Sequence, residues 1–119
     1  MSTRSTTTWR RGDVVLVPVG FTDRSGAKRR PAVIISSDRY NANSPDVMIA
    51  SITGNLQAIR HPGDHLLYHW QAAGLLRPSL VQVKIATVET SVVERRLGKL
   101  ANEDLIAFDR GLREALGLA

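Results

Sequence analysis

The segment Lys28 to Ser36 reads Lys-Arg-Arg-Pro-Ala-Val-Ile-Ile-Ser, three cations running through a proline into a β-branched apolar run. It constrains the fold more than any other stretch. Val33, Ile34 and Ile35 favour a pleated, packed setting, so Ala32 to Ser36 is predicted to be a buried strand. Pro31 is tolerated at the first residue of such a strand and drives Arg30 towards an extended backbone. Arg30 is therefore expected at the rim of a rigid sheet, where a guanidinium can grip an anion. The competing reading is a solvated charge run capping a strand, and residue types alone favour it.

The chain has 119 residues, enough for one domain with one core, and residues 1–119 are read as a single domain with 1–8 a flexible tail. Apolar residues make up 43% and charged residues 23%, the balance of a globular protein rather than a disordered one. A formal net charge of +5 makes an acidic partner plausible, either nucleic acid or an acidic protein. Cysteine is absent, which excludes disulfides and thiolate metal sites. No apolar run approaches the roughly 20 residues that cross a bilayer, and the Ser/Thr-rich start has no apolar signal core. The expectation is a soluble, cytoplasmic chain without a membrane partner.

Along the chain, Asp13 to Val19 is expected as the first strand, and Pro18 near its end points to an edge position or a bulge there. Phe21 to Arg30 lacks periodicity and carries Ser25-Gly26, so it reads as an exposed loop able to act as a flap over a groove. Ser37 to Pro45 is a polar connection with room for a helical turn. Asp46 to Thr53 is a third strand, ending at Thr53-Gly54-Asn55. Leu56 to Gly63 is irregular, Asp64 to Trp70 reads as a strand, and Gln71 to Gly74 as a turn. Ser79 to Val83 is a strand that Ala86 to Val88 extends after a kink, whereas Val92 to Leu100 has no clear pattern. Near the end, Asn102 is placed to cap a helix with Glu103 and Asp104 in its first turn. Leu105, Phe108, Leu112 and Leu116 make its apolar stripe, and Gly117 suits its stop. Strands first and a helix last indicate an α+β chain, mainly β: a small antiparallel sheet or partly open barrel with the helix on one side.

Familiar catalytic layouts are missing. There is neither a Walker-type phosphate loop nor a dinucleotide fingerprint. His65 and His69 are four apart and Asp64 could join them on a metal, but Leu66 stands where a zinc protease needs its glutamate. Half-buried or surface imidazoles are the favoured reading, and no metal is expected. What remains is Arg30 on one strand, with Thr53 and Asn55 at the end of another. A guanidinium holds two phosphate oxygens at once, and a hydroxyl could add a further donor. Spacing alone equally allows Thr53 to cap its strand and Asn55 to make a turn.

Gly12-Asp13-Val14-Val15-Leu16-Val17, the Phe21-Thr22-Asp23 loop with Ser25-Gly26, and Lys28 to Ser36 resemble the opening of MazF/PemK-type toxins. Asp46-Val47 through Ile52-Thr53-Gly54-Asn55 is similar to that family's next strand and its threonine-bearing end. Pro78-Ser79-Leu80-Val81, Leu97-Gly98-Lys99-Leu100 and the terminal helix match the remainder. The resemblance implies a homodimeric SH3-like small barrel of the CcdB/MazF type. It implies a toxin of a type II toxin-antitoxin system that cuts single-stranded RNA without a metal or other cofactor, inhibiting translation and growth, and an acidic cognate antitoxin lying in the RNA groove. Arg30 matches the family's catalytic arginine and Thr53 its catalytic threonine. Lys28, Arg29, Asn55 and Gln82 are then expected RNA contacts. Some members carry an arginine and an acid on the strand that here reads Ser79-Leu80-Val81-Gln82-Val83-Lys84; Gln82 stands where such an arginine would fall, and no acid is near. Two other readings stay open: a CcdB-like binder of a protein such as DNA gyrase, and a plain RNA-binding module.

Overall fold

The computed structural model describes residues 8–18, 20 and 28–118. Six strands form one antiparallel sheet: β1 (Asp13–Pro18), β2 (Arg29–Ile34), β3 (Asp46–Thr53), β4 (His65–Leu66), β5 (Leu80–Glu89) and β6 (Arg95–Lys99). Their order across the sheet is β4-β5-β3-β2-β1-β6, and the sheet curls into a half-barrel. Among the described residues two α-helices accompany the sheet, α1 (Asp38–Asn43) between β2 and β3 and α2 (Asn102–Leu116) after β6, with a 3-10 turn at Thr90–Val92 between β5 and β6.

Both faces of the central strands are buried, which is why they read as continuous apolar runs rather than an alternation. Val14, Val33, Ala50 and Val81 face α2 and pack with Phe108 and Leu112. Their neighbours Val15, Ala32, Ile34 and Ile49 turn to the other face and pack with Trp9, Val88 and Val93.

The sheet departs from expectation in instructive places. β1 lies inside the sheet, between β2 and β6, not at an edge. Its pairing with β6 slips between Val14 and Val15, not at Pro18. Pro18 is tolerated because β6 pairs no further than Leu16, leaving no partner on that side to miss an N–H. β2 starts at Arg29 rather than Ala32, and Pro31 sits inside it opposite Leu16. Pairing with β3 begins only at Ala32, so Pro31 also lies beyond the last bonded residue on its outer side. Val19 of the expected first strand, residues 21–27 of the expected flap and residues 1–7 of the expected tail lie outside the described residues.

The strand expected over Asp64 to Trp70 shrinks to His65–Leu66, and Val92 to Leu100 holds a strand that the sequence pattern hid. β6 was concealed by its charges, because Arg95, Arg96 and Lys99 leave it little apolar content. The expected kink after Val83 is a bulge in one unbroken strand. Ile52 pairs with Val81 and Ala50 with Ile85, so Ser51 alone faces Gln82, Val83 and Lys84. In α2 the cap is Ala101, without a side-chain bond, and Asn102 is the first helical residue. Phe108 and Leu112 are buried and Leu105 half-buried, but Leu116 is 56% exposed. Gly117 closes the helix in the left-handed conformation, as expected.

Candidate nucleic-acid interface

The β2–β3 register brings the two leading residues together. Ala32 pairs with Ser51 as the last bonded pair. Two residues further along each strand stand Arg30 and Thr53, in line across the same two strands and on the same face. Both line one open groove of about 1050 Å³, together with Arg29, Asn55, Arg77 and Arg95. No Asp, Glu or His is among the described residues lining it. Arg30 is exposed, and its guanidinium has no hydrogen-bond or carboxylate partner among the described residues. A cation held on a strand with no counter-charge among the described residues is poised for an anion.

Thr53 and Asn55 make the strand-end cap and the turn that spacing alone allowed. Thr53 Oγ1 accepts the Asn55 N–H at 3.0 Å, and Asn55 Oδ1 accepts the Gln57 N–H at 3.0 Å. These bonds fix the strand end as a turn, yet they use the oxygen of Thr53 as an acceptor, and its O–H has no acceptor among the described residues and can donate into the groove. Arg29 lines the groove but is tied by an ion pair to Glu94. Lys28 is exposed just before β2 and lies outside this groove. Gln82 is separate again: it lines a smaller pocket of about 200 Å³ with Arg30 and Lys84. Arg30 and Pro31 border both spaces.

Two groove arginines escaped sequence reasoning. Arg77 lies across Gly54: a Cβ added there would stand 2.6 Å from the Arg77 Cδ. The missing side chain at Gly54 thus lets Arg77 lie beside Thr53 and Asn55. A second Arg-Pro pair, Arg77-Pro78, was the available signal. Arg95 and Arg96 are split by strand alternation. Arg95 lines the groove, whereas Arg96 donates to the buried carboxylate of Asp13 at 2.8 Å and lies 5.4 Å over the Trp9 ring.

The histidines serve the framework. His65 Nε2 lies 2.8 Å from Oδ1 of the fully buried Asp104, which also accepts the N–H groups of Tyr68 and His69. His69 Nε2 lies 2.8 Å from Glu103 Oε1, and that hydrogen bond is the main reason its imidazole is raised above the ordinary histidine value. Asp64 turns inward to the bulge instead of joining them. No three His, Asp or Glu side chains among the described residues are grouped to hold a metal.

The profile of the family described as PemK-like, MazF-like toxin of type II toxin-antitoxin system matches residues 10–116. The chain belongs to this family. Solved structures agree in fold. The MazE–MazF complex from Deinococcus radiodurans superposes with a TM-score of 0.73 at 20% identity, covering 95% of this chain and 100% of that one. An endoribonuclease in complex with its cognate antitoxin, from a mycobacterial species, gives 0.72 at 21% identity over 92% and 96%. The Mycobacterium tuberculosis toxin MazF-mt6 gives 0.69 at 18% identity over 90% and 98%. At such identities the likeness is one of fold, and the half-barrel with its C-terminal helix is the MazF-like fold. Among the described residues no helix is long and apolar enough to cross a membrane.

Proposed function

We propose that this chain is the endoribonuclease toxin of its toxin-antitoxin pair, cutting single-stranded RNA in the groove that Arg30 and Thr53 share. The observation that carries the reading is their placement in line on adjacent strands, in a space lined by four arginines and, among the described residues, by no acid. The ribose 2′-hydroxyl gives up its proton to solvent as its oxygen attacks the neighbouring phosphorus, the bond to the 5′-oxygen breaks, that oxygen takes a proton from solvent, and the products are a 2′,3′-cyclic phosphate and a 5′-hydroxyl. Arg30 clamps two phosphate oxygens and offsets the negative charge that builds during attack. It does so as a permanent cation rather than as a proton donor, because a guanidinium does not give up its proton at working pH. The Thr53 hydroxyl donates to the same phosphate. Arg77 and Arg95 hold flanking phosphates, with Asn55 beside them.

An acidic antitoxin segment laid along the same arginines would compete with RNA directly, and the chain is read as a homodimer on family grounds. The test is incubation of a long unstructured RNA with the protein in EDTA, with end-group analysis of the fragments. Cyclic phosphate and 5′-hydroxyl ends are expected. Intact RNA, or inhibited gyrase supercoiling without RNA fragments, would contradict the proposal.

A further inference from the structure

Asp104 lies fully buried in the first turn of α2, yet its side chain does not cap the helix. Its hydrogen bonds all go to the segment that follows β4. Oδ1 accepts the Tyr68 N–H at 2.8 Å and lies 2.8 Å from His65 Nε2, and Oδ2 accepts the His69 N–H at 3.0 Å. Taking a carboxylate out of water is costly, and here both oxygens are committed to one short stretch of backbone. Glu103 adds an exposed tie to the same stretch through His69 Nε2 at 2.8 Å. From β5, Val81 stands opposite His65, and the Tyr68 ring meets the imidazole edge-on at 4.9 Å.

The fastened stretch opens a compact unit. The N–H groups of Ala73, Gly74 and Leu75 donate to the carbonyls of His69, Gln71 and Trp70, and the Leu67 N–H donates to the Ser79 carbonyl at its base. Its far end rests on β6, where a Cβ on Gly74 would overlap the Leu97 carbonyl oxygen. The unit is therefore gripped by α2 at one end and β6 at the other, and the chain leaving it brings Leu75, Leu76 and Arg77 to the groove. The Arg77 guanidinium has no hydrogen-bond or carboxylate partner among the described residues, so its place depends on the backbone that delivers it.

We propose that Asp104 is a positioning residue for RNA binding: by fastening the Tyr68 and His69 amides to α2 it sets where Arg77 meets a phosphate, without itself lining the groove. The proposal rests on the ribonuclease reading for the identity of that phosphate. The same bonds would steady the fold even with Arg77 idle, so the experiment must separate placement from stability.

The test compares full-length 15N-labelled wild type with Asp104→Asn, which keeps the shape and one acceptor oxygen but turns an N–H₂ donor towards a backbone N–H. Hydrogen exchange at the Leu75 amide is expected to quicken by about tenfold or more while the Ala50 amide in the core of β3 changes less, and the Arg77 Nε–H resonance is expected to shift. Affinity for an uncleavable 2′-O-methyl RNA oligomer should fall by about two- to fivefold, the worth of one exposed ion pair. That loss should vanish in an Arg77→Ala background, and long RNA should show a raised KM at unchanged kcat. In wild type, with no variant to fold, the Tyr68, His69 and Leu75 amides should share one protection factor, as parts of a single opening unit. Unequal protection of the three, or a destabilised Asp104→Asn with wild-type Arg77 resonance and oligomer affinity, would overturn the proposal and leave Asp104 a residue of stability alone. An oligomer that wild type does not bind would contradict the RNA reading, while the exchange rates and the Arg77 resonance still decide the positioning.

Discussion

Asp64 Oδ1 accepts the backbone N–H of Val83 at 2.7 Å, joining the loop before β4 to the centre of the β5 bulge. The Asp64 side chain is 1% exposed, and its other oxygen accepts the His61 N–H at 2.9 Å. A bulged residue leaves its ladder, so its amide needs another acceptor. Asp64→Ala removes that acceptor and is expected to lower unfolding free energy by about 1–3 kcal/mol in urea. Asp64→Asn keeps an acceptor oxygen and should lose less. Equal stability of wild type and Asp64→Ala would show that the bulge is held by other means.

Gly54→Ala tests the path of Arg77. The added methyl would collide with the Arg77 Cδ, but a flexible side chain can swing away at little cost to folding. Stability is expected to change by less than about 1 kcal/mol. RNA affinity is expected to fall as far as it does in Arg77→Ala, and further mutation of Arg77 in the Gly54→Ala background should then do little. Full affinity in Gly54→Ala would place Arg77 outside the binding track.

The groove arginines carry a salt signature. Each phosphate contact on single-stranded nucleic acid contributes about −0.7 to the slope of log K against log salt. Arg77→Ala and Arg95→Ala are each expected to make the slope less steep by about that amount. An unchanged slope would remove the residue from the interface.

His69 gives a pH prediction. Its hydrogen bond to Glu103 raises its pKa in the folded state, so the stabilisation is full below about 6.5, the unfolded value, and is lost as pH rises through the folded value. The imidazole is solvent-facing, so the effect on stability is small. An NMR titration should show a lower His69 midpoint in Glu103→Gln than in wild type. Identical midpoints would contradict the assignment.

Much of this molecule could be read from the chain itself, and the failures have physical causes. Asp46–Thr53 was legible to the residue because its β-branched run is bounded by turn-forming residues on both sides. Phe108 and Leu112 were legible as the buried stripe of α2 by their helical spacing. β6 was not, because a strand with arginines on both faces carries no apolar period. Arg30 and Thr53 stood out by residue type as a cation and a hydroxyl at strand ends, but only the family resemblance joined them in one role, because they are far apart in the chain and only strand pairing aligns them. Asp104 looked like an acid favouring a helix dipole; only the fold shows it buried against His65 and the Tyr68 and His69 amides. Gln82 was legible as a departure from the family, while the pocket around it depends on a bulge that leaves no local sequence mark.

The central claim is that Arg30 and Thr53 act on one phosphate, and a double-mutant cycle on kcat/KM for RNA cleavage tests it most directly. Arg30→Ala and Thr53→Ala are each expected to reduce kcat/KM, the arginine change by about 10²–10³-fold. The double variant should lose less than the product of the two, by a coupling of about 0.5–3 kcal/mol. Losses that multiply independently, or cleavage as fast as wild type in either single variant, would contradict it.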